Sequence, residues 1–295
     1  MSVLSWSGVS VLGMTEQIRG VAAGVPFLAV PPTGGGPAPL VIIWHLMDSP
    51  RTEVAMAAAL PLADVPAWRV YLGLPLMGAR TPAGGFEAIM ALVRDDTLLK
   101  CHGVVVTGAA AELPSVLDAL REQLPETALI DAPLTLVGGS AGGGAALLAL
   151  TESERPVTAA VAINAAIRAT SLVQLVEKGQ GIEYAWSPES RALARRLDFV
   201  ERAEEIMARR PQPSVLVVSG EDDHENFRVD AAELSDALRQ RAAEPDSVVL
   251  ATIPGLAHPL ALEPGVEAAP MTPQAVAVDA VVSAFLSARL PVGTP

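Results

Sequence analysis

The chain has 295 residues, 51% of them apolar and 18% charged, with 20 Lys+Arg against 33 Asp+Glu for a formal net charge of -13. This acidic balance disfavours nucleic acid and anionic membrane as partners, and the apolar fraction is too high for a disordered chain. The single cysteine, Cys101, excludes an intramolecular disulfide and a cysteine-based metal cluster. The start, Met1 to Arg19, shows neither the charge nor the cleavage pattern of a signal peptide, and no uncharged apolar run approaches the ~18 residues of a membrane span. The expectation is a soluble, cytoplasmic protein with no membrane insertion.

Apolar runs of strand length alternate with helical patterns along the chain, the signature of an α/β architecture with a mostly parallel, doubly wound sheet. Strands are expected at Val25–Val30, Leu40–Trp44, Trp68–Leu74, Leu134–Val137, Val157–Ile163, Ser214–Ser219 and Val248–Ile253. Helices are expected at Arg51–Leu60, Phe86–Leu99, Glu112–Gln123, Ala141–Thr151, Phe227–Ala242 and Pro273–Leu290. In the last, Val278, Val281, Val282, Phe285 and Leu286 recur at helical spacing, with Thr272 placed to cap it and Pro273 in its first turn. The segment Pro31–Pro39, PPTGGGPAP, reads as a surface turn rather than a linker. From Asn164 to Gln212 no strand is evident. Leu172, Val173, Leu175, Tyr184, Trp186, Leu193 and Leu197 mark short amphipathic helices there, so residues 164–212 are expected to form a helical cap inserted into one α/β domain spanning 1–295.

The most informative stretch is the buried strand Leu134–Val137 running into Gly138-Gly139-Ser140-Ala141-Gly142 and then an apolar helix. A serine in a G-x-S-x-G turn between strand and helix is forced into a strained conformation that exposes its Oγ, and the flanking glycines remove side chains that would collide as the chain reverses. The helix start aims free N–H groups and its positive dipole end at the same place. A dinucleotide fingerprint would need different glycine spacing, and the G-K-[ST] of a phosphate-binding P-loop is absent.

Here the chain resembles the α/β-hydrolase fold family, whose nucleophile, acid and base follow in the order Ser, Asp, His. Strand Ser214–Ser219 runs into Gly220-Glu221-Asp222-Asp223, similar to the family's acid-bearing turn; the offset from the glycine selects Asp223, with Asp222 as fallback. Strand Val248–Ile253 leads into Pro254-Gly255-Leu256-Ala257-His258, which looks like the histidine loop. The region Gly220 to His258 is somewhat similar to dienelactone hydrolases and to prolyl-peptidase catalytic domains. Of the other histidines, His224 reads as a solvated loop residue, and His102, beside Cys101 and ahead of strand-like Val104–Val106, reads as structural.

The resemblance implies catalytic Ser140, Asp223 and His258, and an oxyanion hole built from the N–H of Ala141 and a second N–H beyond the strand Leu40–Trp44. In Trp44-His45-Leu46-Met47-Asp48 the histidine of the family's His-Gly is matched by His45, but Leu46 replaces the glycine. The Leu46 N–H is the first choice as donor and the Met47 N–H the second. Trp44, His45, Met47 and Gly139 are expected to border the substrate. Tyr184 and Trp186 either roof the pocket or form a small core of the insertion. The activity implied is that of a carboxylic ester hydrolase of small or medium acyl groups, acting on a small-molecule ester without metal or organic cofactor. A serine peptidase, thioesterase or acyltransferase is the alternative on the same fold. A catalytically silent ligand-binding protein of this fold is the alternative of another class, and self-association into a homo-oligomer stays open.

Overall fold

The computed structural model describes residues 17–33, 35–125 and 132–290. The reading of the first sixteen residues therefore lies outside the described part. Eight strands form one sheet: β1 (Ile18–Ala22), β2 (Val25–Val30), β3 (Leu40–Trp44), β4 (Trp68–Leu72), β5 (Leu134–Gly139), β6 (Val157–Ile163), β7 (Ser214–Gly220) and β8 (Val248–Ile253), in the order β1-β2-β4-β3-β5-β6-β7-β8. From β4 through β8 all neighbours are parallel, and the β1–β2 hairpin adds an antiparallel edge. The mostly parallel, doubly wound α/β class expected from the sequence is the one observed.

The parallel strands are largely apolar on both sides because helices cover both faces. Along β3, Ile42 and Trp44 face one core, packed under α3 (Gly103–Gln123) and α4 (Ala141–Glu152), while Val41 and Ile43 face the other, under α1 (Glu53–Ala59) and α9 (Pro273–Ser287). Helix α4 lies in the middle of the first core with Ala141 to Thr151 all buried, which explains a sequence apolar on every side rather than along one stripe. Helix α9 begins where Thr272 accepts a hydrogen bond from the Ala275 N–H at 3.0 Å, with Pro273 at the first helical position.

The sequence reading missed β1. Ala23 and Gly24 both have positive φ, 48° and 83°, and close a two-residue hairpin loop in which Ala22 pairs with Val25. Strand-like Val104–Val106 proved helical: α3 starts at Gly103 and buries Val105 and Val106, a short apolar run whose periodicity does not separate strand from helix. Helix α2 (Gly85–Asp96) joins α3 through a π-helical turn, Thr97–His102. The continuous run Gly85–Gln123 is long and apolar enough to cross a membrane by length and composition, with 44% of its most apolar window buried within the fold; counting only uncharged runs passed over it. Between β6 and β7 lie α5 (Ala169–Gln180), α6 (Pro188–Arg196) and α7 (Ala203–Met207), followed by α8 (Glu225–Arg239) between β7 and β8.

The parallel strands end together on one side of the sheet. Trp44 is level with Gly138, Gly139 with Ile163, and Ile163 with Val218. Loops leaving β3, β5, β6, β7 and β8 are thereby gathered at one edge, the usual place for a site in a parallel sheet.

Two glycine substitutions separate packing from propensity. A Cβ on Gly138 would lie 2.0 Å from the Gly142 carbonyl oxygen, so Gly138→Ala is expected to cost about 3 kcal/mol or more in urea unfolding. Gly179, exposed in α5 with open space around it, should gain about 0.5–1 kcal/mol on replacement by Ala in the same measurement.

Candidate active site

At the end of β5 the backbone turns sharply at Ser140, which has φ 49° and ψ -118°. A non-glycine residue with positive φ is strained, and three backbone hydrogen bonds hold it: its N–H donates to the Ile163 carbonyl at 2.9 Å, and its carbonyl accepts from Gly144 at 3.0 Å and Ala166 at 3.2 Å. The turn is pressed against the end of β3, where a Cβ on Gly142 would meet the His45 carbonyl oxygen at 2.3 Å.

The structure brings Ser140, His258 and Asp223 into one line. His258 Nε2 is 2.9 Å from Ser140 Oγ, and His258 Nδ1 is 2.8 Å from Asp223 Oδ1. A carboxylate only accepts, so the imidazole proton sits on Nδ1 and leaves Nε2 to accept from the serine hydroxyl. All three are buried, between 6% and 8% exposed. Asp223 Oδ1 also accepts from the His224 N–H at 2.7 Å. Asp222, by contrast, is exposed and only its backbone is engaged, with the Leu256 carbonyl.

Asn164, which no sequence feature singled out, ties these loops together. It follows β6 with φ 42°, 3% exposed. Its Oδ1 accepts from the Gly220 N–H at 2.7 Å, ahead of the acid loop, and its Nδ2 donates to the carbonyls of Ala257 at 2.8 Å and His258 at 3.1 Å. The histidine loop is fastened on its other side to the loop after β3. Leu260 N–H donates to the Ser49 carbonyl at 2.9 Å, Ser49 Oγ to the Leu262 carbonyl at 2.7 Å, and Arg51 N–H to the Gly265 carbonyl at 2.7 Å.

Several expected contacts fall elsewhere. The Leu46 N–H donates to the Pro50 carbonyl at 3.1 Å and so is not available to an oxyanion. The Met47 N–H has no acceptor among the described residues, and Met47 borders the cleft, so it replaces Leu46 as the donor candidate beside Ala141. His45 is 0% exposed and both ring nitrogens are engaged: Nδ1–H donates to the Leu46 carbonyl at 2.6 Å, and Nε2 accepts from the Leu74 N–H at 3.0 Å. It shapes the loop from inside and contacts no substrate; burial pushes its pKa down to about 4. Trp44 is sealed in the core because both sheet faces are covered. Gly139 sits against Leu46, where a Cβ would meet Leu46 Cδ1 at 2.3 Å, so its lack of a side chain serves packing. Tyr184 and Trp186 pack edge to face, ring centres 4.9 Å apart; the tyrosine hydroxyl donates to Asp96 at 2.6 Å and Trp186 lines a separate cavity with α5 and α6. They pack against the main core, the tyrosine tying the insertion to the end of α2, and neither lines the cleft.

The cleft over Ser140 has a volume of about 250 Å³. Its walls are mostly apolar, from Met47 and Met77, from Phe86, Ile89, Met90 and Val93 on α2, from Leu172, Leu175 and Val176 on α5, and from Phe227 on α8. Those helical side chains recur at three- and four-residue spacing, which reads equally well as core, so nothing in the sequence assigns them to a cleft. His224, expected to point away, lines it too, its ring 5.3 Å from that of His258. Cys101 and His102, read as structural, also reach the cleft. Asp48, 51% exposed, brings a carboxylate to 3.6 Å from His258 Nε2.

No protein-family model matches the sequence, and no curated protein matches it. Solved structures do match its fold. TT1662 from Thermus thermophilus superposes with a TM-score of 0.62 at 21% identity, over 93% of this chain and 99% of that one. A puromycin-hydrolyzing peptidase of Mycobacterium tuberculosis gives 0.62 at 18% identity, over 94% of this chain and 40% of that longer one. Carboxyl esterase 2 of the mycorrhizal fungus Tuber melanosporum gives 0.56 at 13% identity, over 96% and 89%. The fold is that of the α/β-hydrolases.

Two outcomes test this geometry. Asn164→Asp keeps the acceptor for Gly220 but sets a carboxylate against two carbonyls, and should lower stability in urea by about 2–4 kcal/mol. His45 has its pKa lowered from 6.5 to about 4 on folding, so between these values the unfolded chain binds a proton that the native protein refuses. Stability from this group is complete above pH 6.5 and falls as pH drops, by up to about 3 kcal/mol near pH 4. Urea midpoints between pH 7 and 4.5 should show a shallower decline in His45→Gln than in the wild type.

Proposed function

We propose that the protein is a serine hydrolase that cleaves carboxylic esters of small or medium acyl groups through an acyl-enzyme. The observation that carries this reading is the continuous hydrogen-bonded line from Ser140 through His258 to Asp223, laid under a cleft on a strained strand-to-helix turn. Ser140 Oγ attacks the carbonyl carbon as its proton passes to His258 Nε2. Asp223 holds the imidazole with its proton on Nδ1 and stabilises the imidazolium. Negative charge gathers on the carbonyl oxygen between the N–H groups of Ala141 and Met47, one at the positive end of α4. The tetrahedral adduct collapses as His258 returns the proton to the leaving alcohol, and water, deprotonated by the same nitrogen, then releases the acid.

The cleft supports the substrate class. An apolar space of about 250 Å³ lies below the usual size of ligand pockets and suits a short or medium chain. Asp48 and Arg51 both line the cleft, so the preference for neutral or cationic esters over polyanionic ones rests on the net charge of -13. Structural neighbours named as an esterase and a peptidase leave the choice of bond to the cleft, and its apolar walls favour esters.

A fluorophosphonate probe should label Ser140, with the adduct mapped by mass spectrometry. Labelling is expected to vanish in Ser140→Ala and to slow by several orders of magnitude in His258→Ala; unlabelled Ser140 in folded protein overturns the reading. Hydrolysis of p-nitrophenyl butyrate should fall by about 10⁴-fold in Asp223→Asn and change little in Asp222→Asn, as expected when the imidazole loses the partner that sets its tautomer.

A further inference from the structure

The π-helical turn Thr97–His102 contributes polar groups to a mostly apolar wall, and the hydrolytic line uses none of them. Thr97 and His102 are its first and last residues, 4% and 3% exposed, and both line the cleft that holds Ser140. In an α-helix residues five apart point about 140° away from each other. The wider i→i+5 turn brings them round to one side, so the irregularity in the helix is what gives the cleft both side chains. The turn is braced from behind. Asp96 accepts from the N–H groups of Leu98 at 3.1 Å and Leu99 at 2.7 Å, and Tyr184 donates to the same oxygen at 2.6 Å.

Neither the Thr97 hydroxyl nor the His102 ring has a hydrogen-bond partner among the described residues, and neither is among the polar atoms sealed from solvent, so both stay open to the cleft. Polar atoms that open onto a cleft and are unpaired within the fold are free to bond a ligand that enters it. Resting on the serine-hydrolase reading, we propose that Thr97 and His102 form a hydrogen-bonding subsite for an uncharged oxygen, a ketone, hydroxyl or second carbonyl, on the limb of the ester that enters the cleft. Between them the two side chains offer a hydroxyl donor, an imidazole donor and acceptors for a hydroxyl. Burial keeps His102 neutral by pushing its pKa down to about 4, so the subsite carries no charge to offset that of a carboxylate. A charged limb would shed its water here without an opposite charge to meet it.

The test compares p-nitrophenyl hexanoate with its 4-oxo and 5-oxo derivatives, and hexyl acetate with 5-oxohexyl acetate. Each kcat/KM is divided by the ester's alkaline hydrolysis rate, and fluorophosphonate labelling of Ser140 is run on every variant. The wild type should prefer the ketone in one of the two series by about three- to tenfold per hydrogen bond. That preference should drop toward one in Thr97→Val, which is nearly isosteric, and in His102→Leu. A wild type that labels but shows no preference overturns the subsite while leaving the hydrolase reading intact, as does a preference unchanged in Thr97→Val. Failure of the wild type to label overturns both.

Discussion

The rest of the site depends on the contact between the β5–α4 turn and the end of β3. At Gly142 the chain passes so close to the carbonyl of His45 that no side chain fits, and at Gly138 it passes equally close to its own returning backbone. This closeness forces the positive φ of Ser140 and sets its Oγ above the sheet. It also places the first N–H of α4 next to the loop that leaves β3. Ser140 and the N–H groups proposed to hold the oxyanion thus depend on one packing constraint, and a residue larger than glycine at either point would move them together.

The other half of the site is located by hydrogen bonds between loops rather than by packing. Asp223 and His258 come after different strands, and each loop could shift slightly without disturbing the sheet. Asn164 removes that freedom by joining both loops to the end of β6, and Ser49 joins the histidine loop to the one bearing Met47. Hydrogen-bond geometry tolerates only a few tenths of an ångström, which is the tolerance required of a proton relay. The strained φ of Asn164 has the same origin as that of Ser140: both residues stand where a strand ends and a side chain must be aimed, and the surrounding hydrogen bonds hold the conformation.

All the strands but β1, their parallel arrangement and the three side chains Ser140, Asp223 and His258 that the structure brings together were legible in the sequence because each rests on a local pattern. Buried parallel strands are apolar runs, a nucleophile turn needs its glycines, and four histidines leave few choices for a base. The errors came from interactions between distant or concealed groups. Leu46 is excluded as a donor only by the Pro50 carbonyl that closes the loop, and His45 is withdrawn by a contact with Leu74 across 29 residues. Trp44 occupies the inner side of a strand that is covered on both faces, so its nearness in sequence to the site says nothing of access. Thr97 and His102 are brought to one side only by a π-helical turn that no sequence pattern announced, the helix being expected to end at Leu99, and Asn164 carries no motif at all.

The strand order gives the protein a temporal logic. From β3 outward, β3, β5, β6, β7 and β8 lie side by side in the order of their synthesis, so each of these strands pairs with one made before it. The strand before Ser140 is laid down in the middle of this series, whereas Asp223 and His258 follow the last two strands. A chain that stops before them holds Ser140 without Asp223 and His258. On the proposed chemistry it stays inert toward the esters around it, and reactivity appears only when the growing edge of the sheet is finished.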